Sequence, residues 1–249
     1  MAPSELEQIL QTAAFPPSLL DQAAELRRLV VAARLSKYNV GSDDVASLVD
    51  PAGGRRRVLV PGQVENDASV LRGGGRIRGN LELLKAVREA RPDAFIIYKP
   101  HPDIEAGLRP GRIDPEQTLK LADAIAARAS MAHLLDQVDE VHTLTSLSGF
   151  EALLRGLDVA VYGLPFYAGW SLTEDREACP RRTRRLHLDE LVAGTLILYP
   201  RYVDRPTLWP CSAADVVRQL TFSLLRADTV GLLQKDRRRA LLSHWLRSR

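Results

Sequence analysis

Two carboxylates one residue apart stand in the first of three segments whose residues could do chemistry. The segment is residues 61–67, where Glu65 and Asp67 follow an apolar run and amide side chains stand on either side of Glu65, at Gln63 and Asn66. Nucleophilic or acid–base chemistry on a sugar uses carboxylates in this way. Acidic turns without a catalytic role are also common, so the spacing leaves both interpretations open.

A histidine between two prolines marks the second segment, the YKPHPD run at residues 98–103. Each proline fixes its own φ angle, so the backbone around His101 is nearly rigid. With Lys99 beside it at a strand end, the imidazole can meet a phosphate at little cost in conformational entropy. A lone histidine would mean little, but this context makes Lys99, His101 and Pro102 candidate nucleotide-binding residues.

The third segment, residues 143–149, is rich in hydroxyl groups and runs from a strand end into a helix. Hydroxyls and free backbone N–H groups at a helix N-terminus attract an anion, because the helix dipole favours negative charge there. Simple N-capping by a serine is the alternative interpretation, and the two are compatible. The candidate nucleotide-binding residues here are Thr145, Ser146, Ser148, Gly149 and Glu151.

Aromatic and basic residues farther along are candidates for substrate binding. Tyr167 and Trp170 follow the fourth apolar run and could stack on a base or a sugar, although packing of at least one ring in the core fits the sequence equally well. Arg182 belongs to a basic cluster at 181–185, which could meet an anionic sugar or phosphate or simply be solvated surface. Together with Gln63, these residues form the predicted substrate-binding set.

The elements that would position these residues alternate along the middle of the chain. Helical patterns separate four compact apolar runs, which predicts a parallel sheet flanked by helices, a Rossmann-like α/β fold. The carboxyl ends of parallel strands share one edge of the sheet, where ligands bind, so we expect the segments after these runs to lie together. The predicted strands are 58–60, 94–98, 140–143 and 159–162, and the predicted helices are 80–90, 115–130 and 150–155.

Helical extensions flank this predicted domain on both sides. Ser4 and Glu7 have the spacing of a capping box for a first helix, and a second, amphipathic helix is predicted over 18–35. The sequence favours a linker at 41–54 and a basic terminal helix at 227–249. The predicted division is a helical segment with linker (1–54), a Rossmann-like nucleotide-sugar-binding domain (55–210) and a C-terminal helical extension (211–249).

Composition narrows the class of protein. The 249 residues carry a net charge of +3 at pH 7 with a sequence pI near 9.0, and 45% are hydrophobic, as in an ordinary globular chain. No apolar stretch is long enough for a membrane span and the N-terminus lacks a signal-peptide pattern, so we expect a cytoplasmic protein. Aromatic residues are not interleaved with the basic clusters, which argues against nucleic-acid binding. Only two cysteines occur, and we expect neither a metal site nor a disulfide.

Several long motifs, in one order, resemble those of a known family. The resemblance is to the capsule polysaccharide biosynthesis family, and within it to the KpsC-type β-Kdo transferases. It is carried by VLVPGQVENDAS, IIYKPHPD, VDEVHTLTSLSGFEALLRG and VYGLPFYAGWSLTED. The runs ARLSKYNVG upstream and RRTRRLHLDELVAGTLILYPRYVD downstream also fit, which extends the resemblance over about residues 4–204. A set of ordered motifs is far more specific than any single short one.

The resemblance implies one lobe of a GT-B glycosyltransferase that transfers Kdo from CMP-Kdo to a lipid-linked glycan acceptor with retention of configuration. His101 and the segment at Ser146 and Ser148 would hold the CMP phosphate, as HP and serine motifs do in bacterial sialyltransferases. Retention by double displacement needs a carboxylate nucleophile, for which Asp67 is preferred to Glu65. CMP-Kdo is then a donor substrate, and no separate cofactor is expected.

The resemblance also implies a part that lies before the first residue of this sequence. In KpsC-type modules, a lobe with an acidic EDGF-type segment precedes the pattern that SELEQIL matches. We expect a partner chain or an upstream segment to supply that wall of the cleft. The alternative is a non-catalytic component of capsule assembly and export that binds nucleotide or glycan. The terminal basic helix would suit peripheral contact with the inner face of the cytoplasmic membrane, although we favour docking of its apolar face on the protein's own core.

Overall fold

The computed structural model describes residues 3–37 and 53–230, with side chains described up to residue 224. The chain divides into two compact units: a sheet unit, Gly41–Arg185, and a helical unit, formed by Met1–Val40 together with Leu186–Arg249. The chain between 186 and 210 thus groups with the helical unit, and the predicted three-part division stays a prediction. Most of the predicted linker and of the basic terminal helix lies outside the described residues.

Six strands form the sheet of the sheet unit, in the order β3-β2-β1-β4-β5-β6. Every neighbouring pair is parallel, which confirms the Rossmann-like α/β fold. The four predicted strands are each found to within one residue at either end, and two further two-residue strands complete the sheet. The strands are β1 (Arg57–Pro61), β2 (Phe95–Lys99), β3 (Ala124–Ile125), β4 (Glu140–Thr143), β5 (Asp158–Val161) and β6 (Glu174–Asp175).

Ten α-helices lie in the described ranges. In chain order they are α1 (Glu5–Thr12), α2 (Pro17–Ala32), α3 (Ala68–Gly73), α4 (Asn80–Ala90), α5 (Pro102–Glu105), α6 (Pro115–Leu119), α7 (Met131–Leu135), α8 (Leu147–Leu154), α9 (Leu188–Val192) and α10 (Ala213–Val230). A π-helical turn, Ala193–Leu198, follows α9 directly. None of these helices is both long and apolar enough to cross a bilayer.

The central strands are buried along their length because helices cover both faces of a doubly wound sheet. In β1 and β2, every residue after Arg57 is buried. Leu83, Leu84 and Val87 on α4 pack in the same core cluster as Val58 and other strand residues. The short apolar runs of the sequence are therefore core strands. Because the strands are buried, they fix where the loops that follow them begin.

The predicted helix over 115–130 is wrong beyond its first turns. The helix begins at Pro115 as expected, with Asp114 accepting hydrogen bonds from the first turn, but it ends at Leu119 and the chain then forms β3. Asp123 fixes this change, since its carboxylate accepts a hydrogen bond from Ile96 N at 2.9 Å and pairs with Arg88 at 2.7 Å. Strand pairing thus overrides the helix propensity of an alanine-rich segment.

The helical unit is built around α2. Ser4 caps α1 by accepting a hydrogen bond from Glu7 N, as the sequence predicts. Leu26 on α2 belongs to a small apolar cluster with Leu35 and Val217, and Arg27 pairs with Asp189 of α9 at 2.8 Å. An antiparallel hairpin of β7 (Tyr202–Val203) and β8 (Pro210–Cys211) precedes α10.

Candidate functional site

The strand order reverses direction at β1. From β1 the chain moves outward to β2 and β3, and then returns to the other side of β1 with β4. In open α/β sheets, the crevice at such a reversal, outside the carboxyl ends of the strands, is where ligands bind. His101 follows β2 and Ser146 follows β4, with only β1 between those strands. The segments that follow β1, β2 and β4 therefore all start at the same edge of the sheet.

The side chain of Gln63 joins the loops that follow β1 and β4. Its Nε2 donates to Thr145 Oγ1 at 2.9 Å, and its Oε1 accepts from Thr145 N at 2.9 Å and from Thr143 Oγ1 at 3.2 Å. Gln63 is buried, and both ends of its amide are used within the protein. Gln63 was a predicted substrate-binding residue, but in the structure its side chain positions the hydroxyl-rich loop.

Asn80, at the start of α4, holds the loop that follows β1 and was not among the residues predicted from the sequence. Its side chain accepts from Gln63 N at 2.8 Å and donates to Gln63 O at 2.8 Å and to Gly111 O at 3.1 Å. Fully buried, it satisfies backbone groups that would otherwise be unpaired. An asparagine at a helix start is the signal that could have found it, but capping alone explains that pattern.

The two carboxylates of the first segment both serve helix starts. Glu65 accepts a hydrogen bond from Asn80 N at 2.9 Å. Asp67 is the N-cap of α3 and accepts from Ser69 N at 2.9 Å and from Ser69 Oγ at 2.8 Å. Thr145 Oγ1 lies 3.4 Å from Ser69 Oγ, so Ser69 connects Asp67 to the hydroxyl-rich loop. Asp67 is exposed and Glu65 half-buried, so Asp67 is the more accessible of the two.

Lys99 ends β2 as a nearly buried cation. The residue is 6% exposed, and within the described residues its ammonium makes no hydrogen bond or ion pair. Burial lowers the pKa of Lys99 to about 8, and the nearby Glu105 only partly opposes this. A poorly solvated cation without a partner gains strongly from an incoming anion.

A glycine lets β1 approach the end of β2 closely. Gly62 N donates to Lys99 O at 2.8 Å. A Cβ atom at Gly62 would stand 2.6 Å from Tyr98 Oη and 3.3 Å from Lys99 O, so any larger residue here would displace the strand end that carries Lys99. The hydroxyl of Tyr98 is itself mostly buried, which raises its pKa well above the usual range.

His101 is fixed by the backbone of the short helix α5. Its Nδ1 accepts a hydrogen bond from Asp103 N at 3.2 Å, with Pro102 in the first turn. Because Nδ1 is the acceptor, a neutral imidazole carries its proton on Nε2 and presents that nitrogen as a donor. The side chain is 16% exposed.

The start of α8 combines capping with tight packing. Ser146 Oγ accepts from Ser148 N at 3.2 Å and lies 3.1 Å from Ser148 Oγ, so the predicted capping is present, and capping does not exclude an anion nearby. Tyr167 Oη donates to Ser146 O at 2.5 Å. A Cβ atom at Gly149 would overlap that tyrosine hydroxyl. Glu151, one turn on, is buried in the helix.

The predicted aromatic and arginine contacts to substrate are not available in this structure. Tyr167 and Trp170 are fully buried, and Trp170 Nε1 donates to Phe166 O at 2.8 Å. Arg182 donates to the carbonyls of Pro165 and Ala168, each at 2.7 Å, and its guanidinium lies over the Trp170 ring. These residues therefore support the loop behind α8, because core packing, the alternative weighed for the rings, is what the fold uses.

A separate network of charges occupies the opposite, amino-terminal edge of the sheet. Glu140 begins β4 and is almost fully buried, where it accepts from Arg91 at 2.7 Å, Arg56 at 2.8 Å and His142 at 2.8 Å. Burial alone would raise the pKa of Glu140, but the hydrogen bonds from His142, Arg91 and Arg56 outweigh it and hold that pKa below its usual range. A shallow cavity of about 400 Å³ adjoins these residues. Arg56 and Arg91 are both paired with carboxylates, so this network has a structural role.

Within residues 3–37 and 53–224, no three His, Cys, Asp or Glu side chains are grouped closely enough to hold a metal ion. Cys179 and Cys211 are both free thiols.

Comparison with known proteins gives consistent relatives. The sequence model of the family described as "Capsule polysaccharide biosynthesis protein" matches residues 1–202. The chain is 51% identical over 205 residues to the capsule polysaccharide modification protein LipA of Neisseria meningitidis, which is 82% of this chain and 29% of LipA. It is 43% identical over 202 residues to the lipopolysaccharide-processing protein LpsZ of Rhizobium meliloti, which is 80% of this chain and 46% of LpsZ. The chain thus spans less than half the length of either relative.

Two solved structures are similar over most of the chain. One is Thermosulfurimonas dismutans KpsC, beta Kdo 2,4 transferase, with a TM-score of 0.79 and 35% identity over 88% of this chain and 68% of that one. The other is the beta Kdo 2,7 transferase of the same KpsC, with a TM-score of 0.74 and 41% identity over 88% of this chain and 66% of that one. Fold, ordered motifs and relatives agree, and the chain belongs to the capsule polysaccharide biosynthesis protein family.

Proposed function

We propose that the chain is the donor-binding lobe of a glycosyltransferase that transfers Kdo from CMP-Kdo to a lipid-linked glycan acceptor with retention of configuration. The observation that carries the proposal is that Lys99, His101 and the start of α8 stand at the carboxyl ends of β2 and β4, the strands on either side of β1, where the strand order reverses. Two solved relatives bear the name beta Kdo transferase, which favours this donor among nucleotide sugars.

The phosphate of the donor is assigned to the edge formed by β2, β1 and β4. Lys99 supplies a cation with little solvent around it, and the Nε2 proton of His101 supplies a directed donor. The helix α8 is eight residues long. Its N-terminus adds backbone N–H groups and the positive end of the helix dipole. Together these groups stabilise the charge that develops on CMP as it leaves.

Asp67 is the proposed nucleophile. In the first step, a carboxylate oxygen of Asp67 bonds to the anomeric carbon of Kdo while the bond from that carbon to the phosphate oxygen breaks, and the electron pair leaves with CMP. In the second step, the acceptor hydroxyl bonds to the anomeric carbon, the ester to Asp67 breaks and restores the carboxylate, and the hydroxyl proton passes to solvent. Two inversions give net retention.

The acceptor side of the cleft is assigned to another segment or a partner chain, with the acceptor at the inner face of the cytoplasmic membrane. A second candidate function is a nucleotide- or glycan-binding component of capsule assembly that performs no transfer. The capping hydrogen bonds of both Glu65 and Asp67 favour it, because each carboxylate already has a structural task.

The test separates binding from transfer. The chain, supplemented with the segment or partner chain that forms the acceptor side of the cleft, is incubated with CMP-Kdo and a Kdo-primed glycolipid and product is sought by mass spectrometry, while CMP binding by the chain is measured by calorimetry. Asp67→Asn should abolish transfer and keep CMP binding, whereas Asp93→Asn, at an exposed turn on the other edge of the sheet, should change neither. Full transfer by Asp67→Asn would refute the nucleophile, binding without any transfer would favour the second candidate, and a chain that does not bind CMP would contradict both.

A further inference from the structure

An exposed apolar tip stands at the end of the β7–β8 hairpin. Leu208 is 77% exposed and Trp209 is 74% exposed. Phe222 on α10 is 57% exposed, and it shares a shallow groove with Arg205 and Pro206 of the hairpin. We call Leu208, Trp209 and Phe222 the apolar tip. Scattered apolar side chains are normal on a surface, but a tryptophan and a leucine side by side at a hairpin end are not.

Hydrogen bonds fix the hairpin turn that carries Leu208 and Trp209 of the apolar tip. Asp204 Oδ1 accepts from Thr207 N at 2.8 Å and from Thr207 Oγ1 at 2.6 Å. The backbone closes on itself, since Leu208 N donates to Asp204 O and Asp204 N donates to Trp209 O, both at 2.8 Å. Gln219 of α10 also donates to the Asp204 carboxylate. These hydrogen bonds therefore fix the backbone of the turn on which Leu208 and Trp209 are exposed.

Leu208 adopts a backbone conformation that leucine seldom takes. Its φ angle is +61°, in the left-handed region that favours glycine or asparagine. A strained residue is normally retained because its side chain packs in the fold, yet this one is mostly in solvent. Within the described residues, no packing of the Leu208 side chain offsets this strain, which points to a contact with something beyond those residues.

The charges around the apolar tip are not balanced. Within the described residues, Arg205 has no hydrogen bond or ion pair, and Arg201 donates only to the backbone carbonyls of Leu198 and Pro200. Both nearby carboxylates are already engaged, Asp204 as above and Asp215 with Ser212 and Arg218. Within the part of the chain that the structure describes, the guanidinium groups of Arg201 and Arg205, at the base and in the turn of the hairpin, thus have no carboxylate partner.

We propose that the apolar tip and its flanking arginines form a contact site for the surface of an anionic lipid bilayer. Tryptophan and leucine enter the headgroup boundary while arginine stays with lipid phosphates, which is the composition seen at membrane interfaces. A stable protein partner needs roughly 800 Å² from each side, and two aromatic side chains of about 150–250 Å² each do not reach it. The site does not depend on which donor sugar the chain uses.

Vesicle binding by paired variants tests the proposal. Co-sedimentation is measured with phosphatidylglycerol vesicles and with phosphatidylcholine vesicles, for the full chain and for the double variant Leu208→Asp, Trp209→Asp. We expect binding to the anionic vesicles that weakens with salt, and at least tenfold loss in the double variant. Leu108→Asp, at a leucine that is 64% exposed in the sheet unit, is the matched control and should bind as the parent does.

Fluorescence gives a second readout that does not need the double variant to fold. In a Trp245→Phe background the remaining tryptophans are Trp209 and the fully buried Trp170, so a blue shift on adding anionic vesicles reports Trp209. No shift, no vesicle binding by the parent, or equal binding by a folded double variant would overturn the proposal. So would a dimer that Trp209→Asp dissociates in the absence of vesicle binding. CMP affinity, measured on the same double variant, should be unchanged, which keeps this test separate from the proposed function.

Discussion

Gln63 and Thr145 are joined by two hydrogen bonds across the point where the strand order reverses, one from the Gln63 Nε2 to the threonine hydroxyl and one from the threonine N–H to the Gln63 Oε1, both 2.9 Å long. They connect the loop that carries both candidate carboxylates to the loop that begins α8. The geometry of the proposed phosphate site therefore depends on an amide that does not itself need to touch the ligand.

Replacing Gln63 by leucine should loosen this connection. The change keeps the hydrogen bonds between Asn80 and the backbone of residue 63. It removes the side-chain partner of three groups, Thr145 N, Thr145 Oγ1 and Thr143 Oγ1, which costs about 1–3 kcal/mol in the free energy of unfolding. We also expect CMP affinity to fall by about tenfold. Urea denaturation and calorimetry measure the two effects. Gln137→Leu, at an exposed position, is the control, and equal effects from both variants would show that Gln63 has no special role.

The charge on Lys99 should make CMP binding depend on pH. Because burial lowers its pKa to about 8, the ligand-free protein loses this cation as the pH rises from 7 to 9. A nucleotide phosphate is already doubly charged above its own second pKa of about 6, so the ligand does not change over this range. CMP affinity should therefore fall above pH 8, approaching tenfold per pH unit.

Two variants of Lys99 separate charge from shape. Lys99→Arg keeps its proton throughout this range, so its affinity should not fall between pH 7 and 9. Lys99→Met should bind weakly and equally at every pH. If the parent shows the same flat profile as Lys99→Met, the lysine does not contact the phosphate.

The strands and the loops after them were predictable from sequence because apolar runs of three to five residues are too short for helices and, between helical patterns, are typical of buried core strands. The two-residue strands β3 and β6 were not, since their identity depends on partners distant in sequence, as the pairing of Ala124 with Ile97 shows. The role of Asn80 was hidden for the same reason: its side chain serves the backbone of Gln63, seventeen residues earlier. The sequence could not show whether Tyr167 and Trp170 are buried or stack on a ligand, because aromatic residues occur in both settings.

The change in stability caused by Gly149→Ala distinguishes helix propensity from steric overlap, because the two effects have opposite signs. Helix propensity alone predicts that Gly149→Ala stabilises α8 by about 0.5–1 kcal/mol. The structure predicts destabilisation by about 1–3 kcal/mol, because the new Cβ would overlap Tyr167 Oη. Thermal and urea unfolding measure the sign. The cost should be smaller when Tyr167→Phe is also present, and a stabilised single variant would contradict the packing described at the start of α8.

Glu140 predicts how stability responds to acid. Its pKa is held below the usual range in the folded protein, so the ionised form stabilises the fold above the pKa of the unfolded chain, and that contribution is lost as the pH falls toward the folded-state pKa. Glu140→Gln should lower the free energy of unfolding at pH 7 by about 3–5 kcal/mol and make the remaining stability less sensitive to pH between 5 and 3. Glu89→Gln, on an exposed face of α4, should do neither.

Because the Glu140 network lies at the amino-terminal edge of the sheet, a folded Glu140→Gln protein should still bind CMP with unchanged affinity. A loss of CMP affinity in a fully folded Glu140→Gln protein would place the nucleotide near the amino-terminal edge of the sheet and contradict a site at the strand reversal.

An NMR titration that follows the backbone amides as CMP is added locates the nucleotide on the protein. We expect concentration-dependent shifts at Gly62, Lys99, His101 and the first turn of α8, with none at Arg56, Arg91 or Glu140. Shifts confined to the amino-terminal edge, or no shifts at millimolar CMP, would contradict a nucleotide site at the strand reversal.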